Sequence, residues 1–181
     1  MRAIVLGRFQ PFHNGHAFLL LKAAAAFPDG PVMVAIGSAQ SEWEPNNPWS
    51  AEDRNAMLHA WAESMGMEVE TCSIEDINDP PNWVAHATKH HGKGTLVTSD
   101  QATLALYKEA GFPVQEVVLS ERERYEGWRV RQTAKMLSTV YDDEAVREVL
   151  GQTVPKPVIE WLIENDALFR LSTFETGVHA G

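Results

Sequence analysis

The chain has 181 residues, 44% of them hydrophobic and 22% charged, and a formal net charge of −10. That length and balance suit one soluble globular domain with a real core and a small helical appendage. An acidic chain lacks the basic surface of a general nucleic-acid binder, although a local basic pocket for a small anion is compatible with it. Cys72 is the sole cysteine, which excludes a disulfide within the chain and a cysteine-based zinc site. The N-terminus enters a strand with no signal peptide, and no apolar run approaches the roughly 20 residues of a membrane span. Cytoplasmic residence is the expectation.

Taken in chain order, apolar β-rich runs alternate with helical periods. Residues 2–6 read as a strand and 17–27 as a helix. Pro28-Asp29-Gly30-Pro31 is a turn by its residue chemistry. A second strand at 32–36 ends in Gly37-Ser38-Ala39-Gln40. A polar loop follows, then a helix at about 51–65, where Ser50 and Asp53 have capping-box spacing. Residues 67–74 form a third strand and 83–91 a short helix. A fourth strand at 95–98, a helix at 102–110 and a fifth strand at 114–119 come next. Helices at about 129–139, 144–150 and 157–165 close the chain.

Strands separated by helices imply parallel pairing through right-handed crossovers. The runs Ile4-Val5-Leu6 and Val32-Met33-Val34-Ala35-Ile36 are apolar on both faces, as a covered sheet requires. The fold class is therefore α/β, a doubly wound parallel sheet with C-terminal helices. Such sheets bind ligands outside the carboxyl ends of their strands. The segments 7–16 and 37–40 both occupy such ends, so the expectation is that they face one crevice.

The first of them, Gly7-Arg8-Phe9-Gln10-Pro11-Phe12-His13-Asn14-Gly15-His16, puts two imidazoles where a strand hands over to a helix. A helix N-terminus carries unpaired N–H groups and partial positive charge, and so attracts phosphate. Histidines there can donate to phosphate oxygens. Gly15 allows close approach because it has no Cβ. Basic residues cluster again at Arg122, Arg124, Arg129, Arg131 and Lys135, where Gly127 opens a helix. A solvated basic face would explain that run by itself; beside His13 and His16 it suits phosphoryl transfer, which is mostly positioning and charge neutralisation. His86, His90 and His91 have helical spacing, but no further ligand is evident, and a solvated helix end is the expectation.

The segment 7–16 resembles the His-x-Gly-His signature of the nucleotidylyltransferase superfamily, and within it the archaeal-type nicotinamide-nucleotide adenylyltransferases. Further segments follow in that family's order. Gly37-Ser38-Ala39-Gln40 matches its second-strand motif, and Asn47-Pro48-Trp49-Ser50, leading to Arg54, resembles its Asn-Pro-Phe-Thr-x-x-x-Arg. Asp76-Ile77-Asn78-Asp79 and then Trp83 resemble its nicotinamide pocket, with Pro80 where members often carry Asn. Tyr125-Glu126-Gly127-Trp128-Arg129-Val130-Arg131 resembles Tyr-Ser-Gly-Thr-x-(Ile/Val)-Arg, with Glu126 and Trp128 at the two hydroxyl positions. Trp128 would stack or pack, and Glu126 would face solvent or hold a metal.

The resemblance implies a single nucleotidylyltransferase domain over residues 1–171; residues 172–181 have little periodicity and are expected to be a flexible tail. It implies adenylyl transfer from ATP to nicotinamide mononucleotide (NMN), giving NAD and pyrophosphate by in-line attack. His13, His16 and Arg131 would be catalytic. Gly7, Arg8, Phe9, Gln10, Gly15, Arg124 and Gly127 would bind ATP. Ser38, Gln40, Asp76, Ile77 and Trp83 would bind NMN. Mg²⁺ would arrive with ATP rather than on a protein ligand set. The partners implied are ATP and NMN, with no nucleic acid and no membrane; a homo-oligomer is left open. Two other readings stay in play: a related enzyme with another phosphate acceptor, and a non-catalytic module that binds NAD or another nucleotide.

Overall fold

A computed structural model describes residues 2–120 and 122–174. They group into two compact units: one made of the described parts of Met1–Arg8, Phe18–Gln40 and Met67–Ser120, the other of Phe9–Ala17, Ser41–Gly66 and the described remainder from residue 122 on.

The first unit is built on five parallel strands, β1 (Ala3–Gly7), β2 (Val32–Ile36), β3 (Val69–Ser73), β4 (Thr95–Thr98) and β5 (Val114–Glu116), in the order β3-β2-β1-β4-β5. The register pairs Gly7 with Ile36, and Ile36 with Ser73, so three strands end level. Chain order runs one way from β1 to β3 and the other way from β3 to β5. Right-handed crossovers therefore place α1 (Asn14–Ala26) on one face and α3 (Pro80–His91) with α4 (Gln101–Glu109) on the opposite face. The packing agrees: Ile4, Met33 and Leu96 form one cluster with Val84 of α3 and Tyr107 of α4. The doubly wound α/β expectation is met.

The second unit is helical: α2 (Ala51–Ser64), α5 (Gly127–Leu137), α6 (Asp143–Leu150) and α7 (Lys156–Glu164), with short 3-10 helices at Arg122–Tyr125 and Phe169–Thr173. Helix α2 packs on α7, and α6 packs on both α5 and α7. The Ser50–Asp53 capping box forms as its spacing implies: Asp53 N–H donates to Ser50 Oγ and Ser50 N–H to Asp53 Oδ2, each at 3.1 Å. Such a cap contributes about 1 kcal/mol.

Several boundaries differ from the sequence pattern, for local reasons. Helix α1 starts at Asn14, inside the motif, rather than at 17; the N–H groups of His16 and Ala17 already donate to the His13 carbonyl, at 2.9 and 3.0 Å. Apolar periodicity begins later than the hydrogen bonds. Helix α3 starts at Pro80, because a proline at the first helical position lacks only an N–H that would have no partner there. Strand β5 ends at Glu116, where its β4 partner ends at Thr98, and Val118 is 82% exposed. Ser172 and Thr173, expected in the tail, lie in the last 3-10 helix, and the Phe174 carbonyl accepts from Lys135 Nζ at 2.9 Å. Residues 175–181 fall outside the described residues.

Candidate functional site

The motif histidines form a closed pair within the helical unit. His13 N–H donates to His16 Nδ1 at 3.2 Å, and His16 N–H donates to His13 Nδ1 at 3.4 Å. The rings stack with centroids 3.6 Å apart. A neutral imidazole that accepts at Nδ1 carries its proton on Nε2, so each ring retains one N–H donor. Phe9 meets His16 edge-on at 4.7 Å, and the Tyr125 ring stacks beyond His13 at 6.3 Å. Gly15 makes this packing feasible: a Cβ there would lie 2.9 Å from Tyr125 Cβ and 3.1 Å from His13 Cε1.

Both histidines resist protonation. Burial, and then the Arg131 guanidinium, bring His13 down to about 3. Burial and the neighbouring His13 hold His16 well below the ordinary imidazole value. At neutral pH the pair therefore offers hydrogen-bond donors and not charge. The permanent cation is Arg131, in the first turns of α5; it is 2% exposed and its Nη1 donates to the Gln10 carbonyl at 2.9 Å. Gly127 opens α5 beside it: a Cβ there would lie 3.0 Å from Arg131 Nη1.

The other phosphate-side expectations separate. Arg124 Nη2 donates to the Gln152 carbonyl at 3.0 Å. Phe9 is 1% exposed, so its ring serves packing. The Gln10 side chain is spent on the backbone of Trp49: Nε2 donates to the Trp49 carbonyl at 2.7 Å, and Oε1 accepts from Trp49 N–H at 3.1 Å. Glu126 and Trp128, the two departures from the motif, satisfy each other. Trp128 Nε1 donates to Glu126 Oε2 at 2.7 Å, and the Arg129 guanidinium sits 4.6 Å from the Trp128 ring centroid.

In the sheet unit, Gly7 closes β1 and its carbonyl accepts from Gly37 N–H at 2.9 Å; Arg8, next in the chain, is exposed. Ser38 takes a left-handed backbone, φ 49°, as the chain leaves β2. Gln40 and Asp76 bond reciprocally: Asp76 N–H donates to Gln40 Oε1 at 2.9 Å, and Gln40 Nε2 donates to Asp76 Oδ2 at 3.2 Å. The structure thus joins the second-strand motif to the segment expected to hold NMN. Asp76, Ile77, Asn78, Asp79, Pro80, Trp83 and Leu106 line a cleft of about 310 Å³, in which an indole and two carboxylates suit a cationic ring.

Of the helix-end histidines, His90 is exposed, whereas His91 is buried rather than solvated. Its Nδ1 lies 2.8 Å from the Gly92 carbonyl and its Nε2 lies 3.0 Å from Tyr107 Oη. Its neighbours in space come from α4, which the spacing along α3 cannot reveal. Sequence reasoning also missed Tyr125 as a wall of the histidine pair, and Trp49 as the partner of Gln10. Tyr125 could have been signalled by its place as the first residue of the motif that ends in Arg131, whereas nothing local signals the Trp49 bridge.

Solved structures share this fold. A bifunctional NMN adenylyltransferase/ADP ribose pyrophosphatase from Francisella tularensis, complexed with AMP and a Mn ion, superposes with a TM-score of 0.61 at 18% identity, covering 97% of this chain and 57% of that one. Nicotinic acid mononucleotide adenylyltransferase from Plasmodium falciparum, complexed with NaAD, gives 0.54 at 9% identity, covering 93% and 98%. The cytidylyltransferase-like family model matches residues 4–123. The nicotinamide-nucleotide adenylyltransferase of Methanosarcina acetivorans is 33% identical over 172 residues, 94% of this chain and 92% of that one. The chain belongs to the nicotinamide-nucleotide adenylyltransferases of the cytidylyltransferase-like family. The relative from Haloarcula marismortui carries the same name at 28% identity over 94% of this chain and 85% of its own. His13-Asn14-Gly15-His16 and Gly127 to Arg131, the segments expected from sequence to meet phosphate, both belong to the helical unit.

Proposed function

We propose that this protein transfers the adenylyl group of ATP to NMN, forming NAD and releasing pyrophosphate. The observation that carries the reading is the closed His13–His16 pair beside the buried Arg131. It offers neutral donors and one permanent cation to a polyphosphate, and no covalent intermediate is needed. The NMN phosphate attacks the α-phosphorus in line, and the α–β bridging oxygen leaves with pyrophosphate. His13 and His16 donate to oxygens whose charge grows in the transition state, and Arg131 neutralises the leaving pyrophosphate. Gly7, Arg8, Gly15, Arg124 and Gly127 are proposed as ATP-binding residues. Ser38, Gln40, Asp76, Ile77 and Trp83 complete the NMN side.

A divalent cation is part of the proposal, with Mg²⁺ as the ion. Among the described residues no three His, Cys, Asp or Glu side chains gather to hold a metal ion by themselves. The ion would be held by phosphate oxygens, where it would neutralise charge and keep water ligands. Glu126, the carboxylate closest in sequence to the Arg131 motif, is engaged by Trp128 and Arg129. Cytoplasmic residence is part of the proposal; separately, among the described residues no helix is long and apolar enough to cross a membrane. The test is pyrophosphate release from ATP and Mg²⁺ with NMN or nicotinate mononucleotide in parallel, with the dinucleotide identified. NMN-dependent release with NAD formed supports the reading. NAD binding without turnover of either acceptor overturns it.

A further inference from the structure

We infer that Gln10 is a positioning residue for the phosphate site, setting Arg131 through its main-chain carbonyl, an inference that rests on the function proposed above. Gln10 is 3% exposed, and its amide is used at both ends: Nε2 donates to the Trp49 carbonyl at 2.7 Å, and Oε1 accepts from Trp49 N–H at 3.1 Å. The side chain therefore pairs with a backbone segment as one strand residue pairs with another, which fixes its own main chain. The Gln10 carbonyl, held in that way, accepts from Arg131 Nη1 at 2.9 Å. Arg131 lies 121 positions further along, so this bond ties α5 to the loop that presents His13. Trp49 is itself pinned: it is fully buried and its Nε1 donates to the Ala167 carbonyl at 3.0 Å.

The chemistry explains why glutamine serves here. The Trp49 backbone presents one donor and one acceptor, and a neutral carboxamide is the side chain that complements both. A buried group left without its partner is costly, so the bridge holds one geometry. An arginine that must meet a leaving pyrophosphate gains from this, because preorganised charge needs no rearrangement during reaction. With one N–H of Nε2 and one lone pair of Oε1 engaged at Trp49, and the side chain buried, the role inferred for Gln10 runs through what it holds.

The test uses the full chain with ATP, Mg²⁺ and NMN. Gln10→Met keeps the volume and removes both hydrogen bonds. The expected result is a fall in kcat of about a hundredfold, the scale of a misplacement near 1 Å, with the NMN KM within about twofold of the parent. A kcat within about threefold of the parent overturns the inference. Equal losses in kcat and NMN affinity that track a lowered melting temperature overturn it too, because they mark general loosening. Gln10→Glu decides the matter if the methionine variant does not fold. The protonated acid donates to the Trp49 carbonyl as the amide does, whereas the carboxylate repels it. The ratio of variant to parent kcat should therefore rise as pH falls from 8 to 5.5. His13, His16 and Arg131 border this loop in both proteins; burial keeps His13 neutral to about 3 and holds His16 well below its ordinary value, so the titration added in this range is that of the new carboxyl group. A flat ratio overturns the inference. Absence of NAD synthesis by the parent removes the functional reading instead, and parental turnover with indifferent variants removes only this one.

Discussion

Replacing Gly15 by alanine tests the packing of the histidine pair directly. The added Cβ would lie 2.9 Å from Tyr125 Cβ and 3.1 Å from both Cε1 and Nδ1 of His13. Tyr125 Cβ is close to the backbone and cannot swing away, so the imidazole or the chain must shift by several tenths of an ångström. Alanine is favoured over glycine within a helix by about 0.5–1 kcal/mol, and less in a first turn. Forcing a methyl into a close-packed site costs roughly 1–3 kcal/mol. The net expectation is a destabilisation of about 1 kcal/mol. The functional effect should be larger in proportion: displacing His13 disturbs the Nδ1 bond from His16 N–H, and a shift of this size should lower kcat roughly tenfold, scaled from the hundredfold that 1 Å can cost. Gly30→Ala is the control, since nothing lies within 4 Å of its Cβ; it should be neutral or slightly stabilising. Urea unfolding reports stability, and NAD formation reports turnover. A Gly15→Ala protein more stable than the parent and equally active would refute the claim that close approach at this position shapes the site.

Three further outcomes follow from the same geometry. His16→Ala should keep the fold, by circular dichroism, and reduce turnover at least about a hundredfold, the scale for losing one transition-state donor; near-parental turnover removes His16 from the mechanism. Stability should fall as pH drops below about 6.5, because the unfolded imidazoles take up protons there whereas folded His13 stays neutral to about 3. His16 and His91 are lowered too, so all three act with the same sign. Each contributes a slope of up to about 1.4 kcal/mol per pH unit. Urea midpoints between pH 7.5 and 5 should show a shallower slope in His13→Gln than in the parent, and an unchanged slope counts against the buried neutral pair. Trp83→Ala should raise the KM for NMN about tenfold, on the order of one ring–cation contact, with the KM for ATP unchanged; equal effects on both substrates would place Trp83 in the scaffold only.

Glu126 and Trp128 show how a motif can depart from its family pattern while staying locally consistent. Two small hydroxyl residues are absent, and in their place an indole donates to a carboxylate two positions away while an arginine covers the ring. Both side chains are half-buried. At Glu126, left open from sequence between a metal ligand and a solvated carboxylate, the structure shows Oε2 accepting from Trp128 Nε1 and Arg129 Nε while the side chain stays 39% exposed.

What the sequence determined by itself is whatever depends on neighbours along the chain. Apolar runs of strand length, the Ser50–Asp53 capping box, prolines at helix starts and the His13-x-x-His16 spacing are local, and their physics acts over a few residues. They were enough to read a parallel α/β sheet and two strand bounds to the residue (Val32–Ile36 and Thr95–Thr98), and to mark His13 and His16 as candidates for a phosphate site. What only the tertiary structure decided is pairing between distant positions. Gln10 with Trp49 is 39 apart, Trp49 with Ala167 118, and Arg131 with Gln10 121. The same holds for the burial of His91 against Tyr107 and for the wall that Tyr125 raises beside His13. A side-chain amide or imidazole can be satisfied by almost any backbone or hydroxyl group, so residue type alone leaves its partner undetermined; the close-packed arrangement of helices and loops makes the choice.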